Sequence, residues 1–117
     1  MEINKTDHFT LVKPNINKQL STSQNIVKFY NDFNKKYLNF KDNNIILDFS
    51  GNLNIDLKEI LLFSQINNQH KKNKKSFVIV SDKIEIDKLP NEIITVPTLE
   101  EAEDIVELED IERDLGI

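Results

Sequence analysis

Cysteine is absent from this chain of 117 residues, which removes disulfide frameworks, zinc–thiolate sites and thiol nucleophiles. Glycine occurs twice, at Gly51 and Gly116, so neither a Gly-x-Gly-x-x-Gly turn nor a Walker A loop can be built. No Gly-x-Ser-x-Gly elbow is present, and the two histidines, His8 and His70, stand in contexts that read as surface. A receiver-type acidic pair is also missing, because Pro14-Asn15 follows the first strand-like segment. Apolar runs never exceed four residues, as in Phe77-Val78-Ile79-Val80, whereas a membrane span needs roughly 20. Met1-Glu2-Ile3-Asn4-Lys5 carries no apolar stretch of the secretory kind. The expectation is a soluble, cytoplasmic chain forming one domain over residues 1–117, with no membrane contact.

What is plentiful divides into two kinds. Asn (15), Ile (16) and Lys (14) supply 45 of the residues, against one Ala and one Arg. All three have A/T-rich codons, so a low-GC bacterial genome accounts for them. Charge is distributed with more purpose. Residues 97–117 hold nine acids and one base, Arg113, for a net −8, while residues 1–96 hold 14 bases and 11 acids, for +3. An acidic segment of this kind repels nucleic-acid phosphates, and no basic stripe with interleaved aromatics is present. Nucleic acid is therefore not an expected partner.

Hydrophobic periodicity sets the elements. His8 to Pro14 is β-favouring and ends at a proline, with Met1–Asn4 placed to pair with it as a hairpin through Lys5-Thr6-Asp7. Ile26, Phe29, Tyr30, Phe33, Tyr37 and Phe40 recur at threes and fours, which predicts a helix over 21–40 capped by Ser21, Thr22 or Ser23. Its aromatic rings read as a core face rather than a binding stripe. Ile45–Ser50 is a strand broken by Gly51-Asn52. Asp56 and Glu59 have capping-box spacing ahead of a helix running through Leu57, Ile60, Leu61, Ser64 and Ile66 towards His70. Lys71–Lys75 reads as its solvated end, where cations suit the helix dipole. Ser76–Val80 is the clearest strand, Ser81–Glu92 a connector, and Ile93–Val96 a last short strand ended by Pro97.

Thr98 and Glu101 repeat the capping-box spacing, and a final helix over about 98–115 turns Leu99, Ala102, Ile105, Val106 and Ile111 inward. Glu100 and Glu101 sit in its first turn, where the dipole favours negative charge by about 0.3–1 kcal/mol each. Residues 107–114 oppose the dipole, and a Glu109–Arg113 pair at i,i+4 returns only tenths of a kcal/mol. The acidic second half of this helix therefore either is solvated or meets a basic surface. The alternation of elements predicts an α/β fold with a mostly parallel sheet of four or five strands and three or more helices.

One resemblance bears on function. Asn44-Ile45-Ile46-Leu47-Asp48-Phe49-Ser50, a short loop, then Ile55-Asp56 opening a helix, resembles the central segment of STAS domains, the anti-sigma factor antagonists and their relatives. That family reads as an apolar strand ending Asp-Leu-Ser, then a loop, then Asp-Ser-Ser-Gly beginning a helix. Phe77–Val80 and Val96-Pro97-Thr98-Leu99-Glu100-Glu101-Ala102 resemble the family's next strand and its closing strand and helix. The resemblance covers about residues 1–105 by element order and is specific across 44–61. It implies a STAS-like fold and a regulatory, non-catalytic module that binds a protein partner. The surface it implies is the loop at 50–58: Ser50, Asn54, Asp56, Leu57 and Lys58. Family members are switched by phosphorylation of the serine after the second Asp, but Leu57 stands there, followed by Lys58 and Glu59. Control by phosphate at that position is not expected; Ser50 is the remaining hydroxyl near the loop.

The acidic ending is also similar to that of short bacterial proteins labelled ribonuclease Z. That enzyme needs a His-x-His-x-Asp-His cluster for two zinc ions, whereas His8 and His70 lack any second ligand at suitable spacing. Such a label would not reflect nuclease activity. The alternative reading is an accessory subunit of an RNA-processing or signalling complex, contacting its partner through Glu107, Asp110 and Asp114 of the final helix. No cofactor, metal or catalytic residue is expected.

Overall fold

A computed structural model describes residues 1–51 and 53–116. The chain forms an α/β fold with five strands: β1 (Glu2–Lys5), β2 (Thr10–Lys13), β3 (Ile45–Asp48), β4 (Phe77–Val80) and β5 (Ile94–Val96). Their order across the sheet is their order in the chain. β1 runs antiparallel to β2, with Ile3 opposite Val12, and the other neighbours are parallel. Four helices accompany them: α1 (Thr22–Lys36), α2 (Leu57–Leu61), α3 (Ser64–Lys72) and α4 (Leu99–Asp114). Among the described residues no helix is long and apolar enough to cross a membrane.

Side-chain alternation along the strands builds two cores. Val12, Ile45, Leu47, Phe77 and Ile79 point to one face and pack with α1, α2, α3 and the connector residues Leu89 and Ile93. Leu11, Ile46, Val78 and Val80 point to the other, where Ala102 and Val106 of α4 cover them. β3 and β4 are buried on both faces, which explains their unbroken apolar composition. Three helices thus share one face, and α4 alone serves the second.

The aromatic stripe of α1 is core. Phe33 is fully buried, and its ring stands within 6.4 Å of those of Phe29, Tyr37, Phe40, Phe63 and Phe77. Ser21 caps α1 in a reciprocal box with Gln24. The α-helix stops at Lys36, short of Phe40, and a 3₁₀ turn over Tyr37–Asn39 finishes the segment. The continuous helix expected from Asp56 to His70 is also two helices. Bonds from Leu62 N–H to the Glu59 carbonyl and from Phe63 N–H to the Ile60 carbonyl tighten the chain at the junction. Tightening delivers Phe63 into the ring cluster, against Tyr30 at 5.2 Å and Phe49 at 5.8 Å, and leaves Leu61 and Leu62 partly exposed. The connector from Ser81 contains a 3₁₀ turn at Ile86–Lys88 and no strand.

Phe33→Ala removes the ring on which both halves of this cluster close. The expected loss is about 3–5 kcal/mol of unfolding free energy, read from the urea midpoint with an unchanged denaturant slope.

Candidate functional site

The loop after β3 is held by its own side chains. Asp48 accepts the Ser50 N–H at 2.9 Å, and its other oxygen lies 3.5 Å from the Lys13 ammonium. Gly51 sits at φ +95°, a conformation that a side chain would strain. Beyond it Leu53 and Ile55 are buried anchors, so Asn54 and Asp56 between and after them are turned outward. Asp56 caps α2: its carboxylate accepts the Glu59 N–H at 2.8 Å, and Glu59 accepts the Asp56 N–H at 3.0 Å. Leu57 is half-buried, Lys58 and Ser50 exposed. Asn54–Leu57 face Lys83–Glu85 and Lys88 of the connector across a shallow groove of about 340 Å³. The structure thus gathers Asn54, Asp56 and Leu57 on one rim at the carboxyl end of the sheet. Parallel α/β sheets commonly bind their ligands at this end.

The acidic helix ends elsewhere. α4 leaves β5 at the carboxyl end and runs back along the sheet, bringing Glu109, Asp110 and Arg113 to the segments that enter β3 and β4. Asn44, only 5% exposed, lies at the centre. Its amide donates to the His8 carbonyl at 2.8 Å and to the Asp110 carboxylate at 3.0–3.1 Å. Its carbonyl oxygen accepts from the Ser76 N–H at 2.8 Å and from Arg113 at 3.2 Å. The Ser76 hydroxyl donates to Glu109 at 2.5 Å and accepts from Arg113 at 3.0 Å. Arg113 pairs with Asp110 at 2.6 Å, not with Glu109 as the i,i+4 spacing suggested. Burial raises the Asp110 carboxyl, but hydrogen bonds from Arg113 and Asn44 outweigh it and hold the group below its ordinary value. Two of the five carboxylates over residues 107–114, Glu109 and Asp110, are therefore engaged inside the molecule. Glu107 and Asp114 remain exposed, and so does Ile111, which was expected to point inward.

Two basic residues are also placed differently from expectation. His70 is fully buried, not superficial. Its Nε2 lies 2.7 Å from the Asn43 carbonyl, which can only accept, so Nε2 carries the proton and Nδ1 accepts the Tyr37 hydroxyl at 2.7 Å. Burial pushes the imidazole below its ordinary value, the Asn43 bond opposes this, and the charges of Lys75 and Arg113 push the same way as burial. Lys71 is likewise not a solvated helix end. It is half-buried, and its ammonium donates to the Glu92 carbonyl, which also accepts from Asn67 at 3.1 Å. Lys72 and Lys74 are exposed.

Ser50 follows β3 and Asn44 precedes it, so the two regions are separated by the length of the strand, about 20 Å. Ser50 and His70 belong to opposite ends of the sheet. Among the described residues no group of three or more His, Asp or Glu side chains is placed to hold a metal ion. No protein-family model matches the sequence, and comparison with curated proteins finds no significant relative.

Two outcomes follow from this geometry. Asn44→Ala leaves the Ser76 N–H and the Asp110 carboxylate without their shared partner; amides of residues 107–114 lose hydrogen-exchange protection well before those of β3 and β4 do. Stability also depends on pH through His70. Its folded value lies below the unfolded 6.5, so the unfolded state takes up the proton first and stability falls as pH drops below about 6.5. The urea midpoint of His70→Gln changes less between about pH 7.5 and 5.5 (a window of about one unit either side of the ordinary value) than that of the native chain.

Proposed function

We propose that the chain is a non-catalytic, STAS-like interaction module that docks a regulatory protein partner through the loop at 50–58 and the start of α2. The observation that carries this reading is the construction of residues 48–59: a buried strand ending Asp48-Phe49-Ser50, two buried anchors, and an exposed Asp56 locked in a reciprocal capping box. The element order supports it: a hairpin, α1, β3, α2 with α3, β4, β5 and α4 follow the order of the STAS resemblance, with two helices where one was expected between β3 and β4. A rigid, mostly polar rim recognises a protein by shape and hydrogen bonding. With leucine at position 57, its regulation does not pass through phosphate at the usual position, and a ribonuclease Z label would not reflect its activity.

A second reading has an observation of its own. The chain is an accessory subunit whose contact is α4, because Glu107 and Asp114 are exposed in the half of the helix where the dipole disfavours them. Deleting residues 107–117 is a poor test of it, since Glu109, Asp110 and Arg113 secure the segments that enter β3 and β4. Point charge reversal is cleaner. Affinity purification with the native chain, Lys58→Glu, and Glu107→Lys with Asp114→Lys separates the readings. Under the loop reading Lys58→Glu loses the partner at least about tenfold and the helix variant keeps it; the opposite pattern transfers the contact to α4. Mass spectrometry finds no stoichiometric phosphate on Ser50; its presence would return a phosphorylation switch to the loop.

A further inference from the structure

Between the β1–β2 turn and α4 lies a groove of about 790 Å³, larger than the one at the loop. One wall is the turn at Thr6–Phe9. The Thr6 hydroxyl stiffens it, accepting from the His8 and Phe9 N–H groups at 3.1 and 3.0 Å and donating to the Phe9 carbonyl. The other wall is one face of α4. Glu103, Val106, Glu107, Asp110, Ile111 and Asp114 recur at threes and fours along it. Phe9, Val106 and Ile111 supply an apolar floor, with Ile111 47% exposed despite its size. Among the described residues no lysine or arginine lines the groove, and Glu103, Glu107 and Asp114 make no ion pair.

The groove is also built to keep its width. Asn44 holds one wall through the His8 carbonyl and the other through Asp110. A cleft tied across in this way meets a ligand already formed and loses little freedom on binding.

We infer that this groove receives a basic amphipathic segment of a partner protein, its apolar side chains on Phe9 and Ile111 and its lysines or arginines against Glu103, Glu107 and Asp114. Charge complementarity selects the occupant. Carboxylates in the second half of α4 work against the helix dipole, and a cationic ligand turns that cost into attraction. The apolar floor then separates a peptide from a simple cation, which has no use for it. The carboxylate row from residue 103 to 114 spans about 16 Å, the length of roughly three helical turns of a ligand. This inference rests on the α4 reading given above and names the chemistry of its partner.

The probe is a fluorescein-labelled amphipathic peptide of about three to four turns, leucine on one face and lysine on the other, added to the full chain. Anisotropy gives affinity, and amide shifts in heteronuclear spectra give the location. The expected result is shifts confined to residues 6–9 and 103–114. Affinity falls at least about tenfold when salt is raised from low millimolar to about 0.3 M. It falls comparably in a variant carrying Glu103→Lys, Glu107→Lys and Asp114→Lys, which leaves Asp110 and its bonds to Asn44 intact. Ile111→Ser weakens binding several-fold, and replacing the peptide's leucines with serine does the same. Shifts elsewhere overturn the inference. So does equal affinity in Ile111→Ser, or complete displacement of the peptide by spermine at matched charge, either of which reduces the site to a cation-attracting surface. If the peptide is refused while Glu107→Lys with Asp114→Lys still releases the native partner, the basic-segment inference falls and the α4 reading stands; if both tests fail, both fall.

Discussion

The side chain of Asn44 is the tie on which the arrangement of this molecule depends. An amide offers two donors and one two-lone-pair acceptor, and here all are engaged: His8 and Asp110 on the nitrogen, Ser76 and Arg113 on the oxygen. These partners come from the entry to β2, the entry to β4 and the far end of α4, while Asn44 itself opens β3. Its backbone adds to the same junction, since the Thr10 N–H donates to the Asn44 carbonyl at 2.7 Å. Hydrophobic burial holds the two faces of the sheet, but it is indifferent to register along α4. Directional bonds at Asn44 supply that register, and a half-satisfied network here would cost more than an apolar contact.

Around that tie the two faces are unequal. Aromatic rings from α1, the residue after β3, the α2–α3 junction and β4 interlock on one side, whereas the other is closed by a helix that buries only Ala102 and Val106 fully. A helix with so narrow an apolar stripe leaves its flanks free for other work. One flank is used at the entries to β3 and β4, through Glu109 and Arg113; the adjoining face borders the groove against the β1–β2 turn. The loop at 50–58 and this groove then occupy opposite ends of the same sheet. A partner at one leaves the other open.

Short-range chemistry made most of the fold legible from the residues alone. The alternation of elements, the Ser21 and Asp56 caps, the doubly buried strands and the aromatic stripe of α1 each rest on residues within one or two turns of each other. Where the reading departed from the structure, distant partners decided. The break between α2 and α3 exists because Phe63 fills a space made by α1 and β3, which periodicity within 56–70 does not contain. His70 looked like a surface histidine beside lysines, yet Tyr37 and Asn43 enclose it from 33 and 27 residues away. Asn44 stood in the sequence only as the residue ahead of the β3 run; its partners lie up to 69 residues away in the chain. The acidic tail read as either solvated or meeting a basic surface; in the structure part of it instead meets the chain's own Asn44 and Ser76. Asn54 and Asp56 lie on one rim because they flank a local cap.

Because strand order follows chain order, the sheet can be assembled in the sequence in which it is synthesised, each strand docking on its predecessor. The face built by Leu11, Ile46, Val78 and Val80 is the exception, for its cover follows every strand in the chain. Until α4 docks, any sheet already formed keeps one apolar side bare, and such transiently exposed apolar surface makes partly folded chains prone to aggregate. The carboxylates of α4 shape that interval too. They keep the incoming helix well hydrated, and its last turns find their place through charge and hydrogen bonds at Asn44 rather than through greasy contact that any exposed sheet could offer.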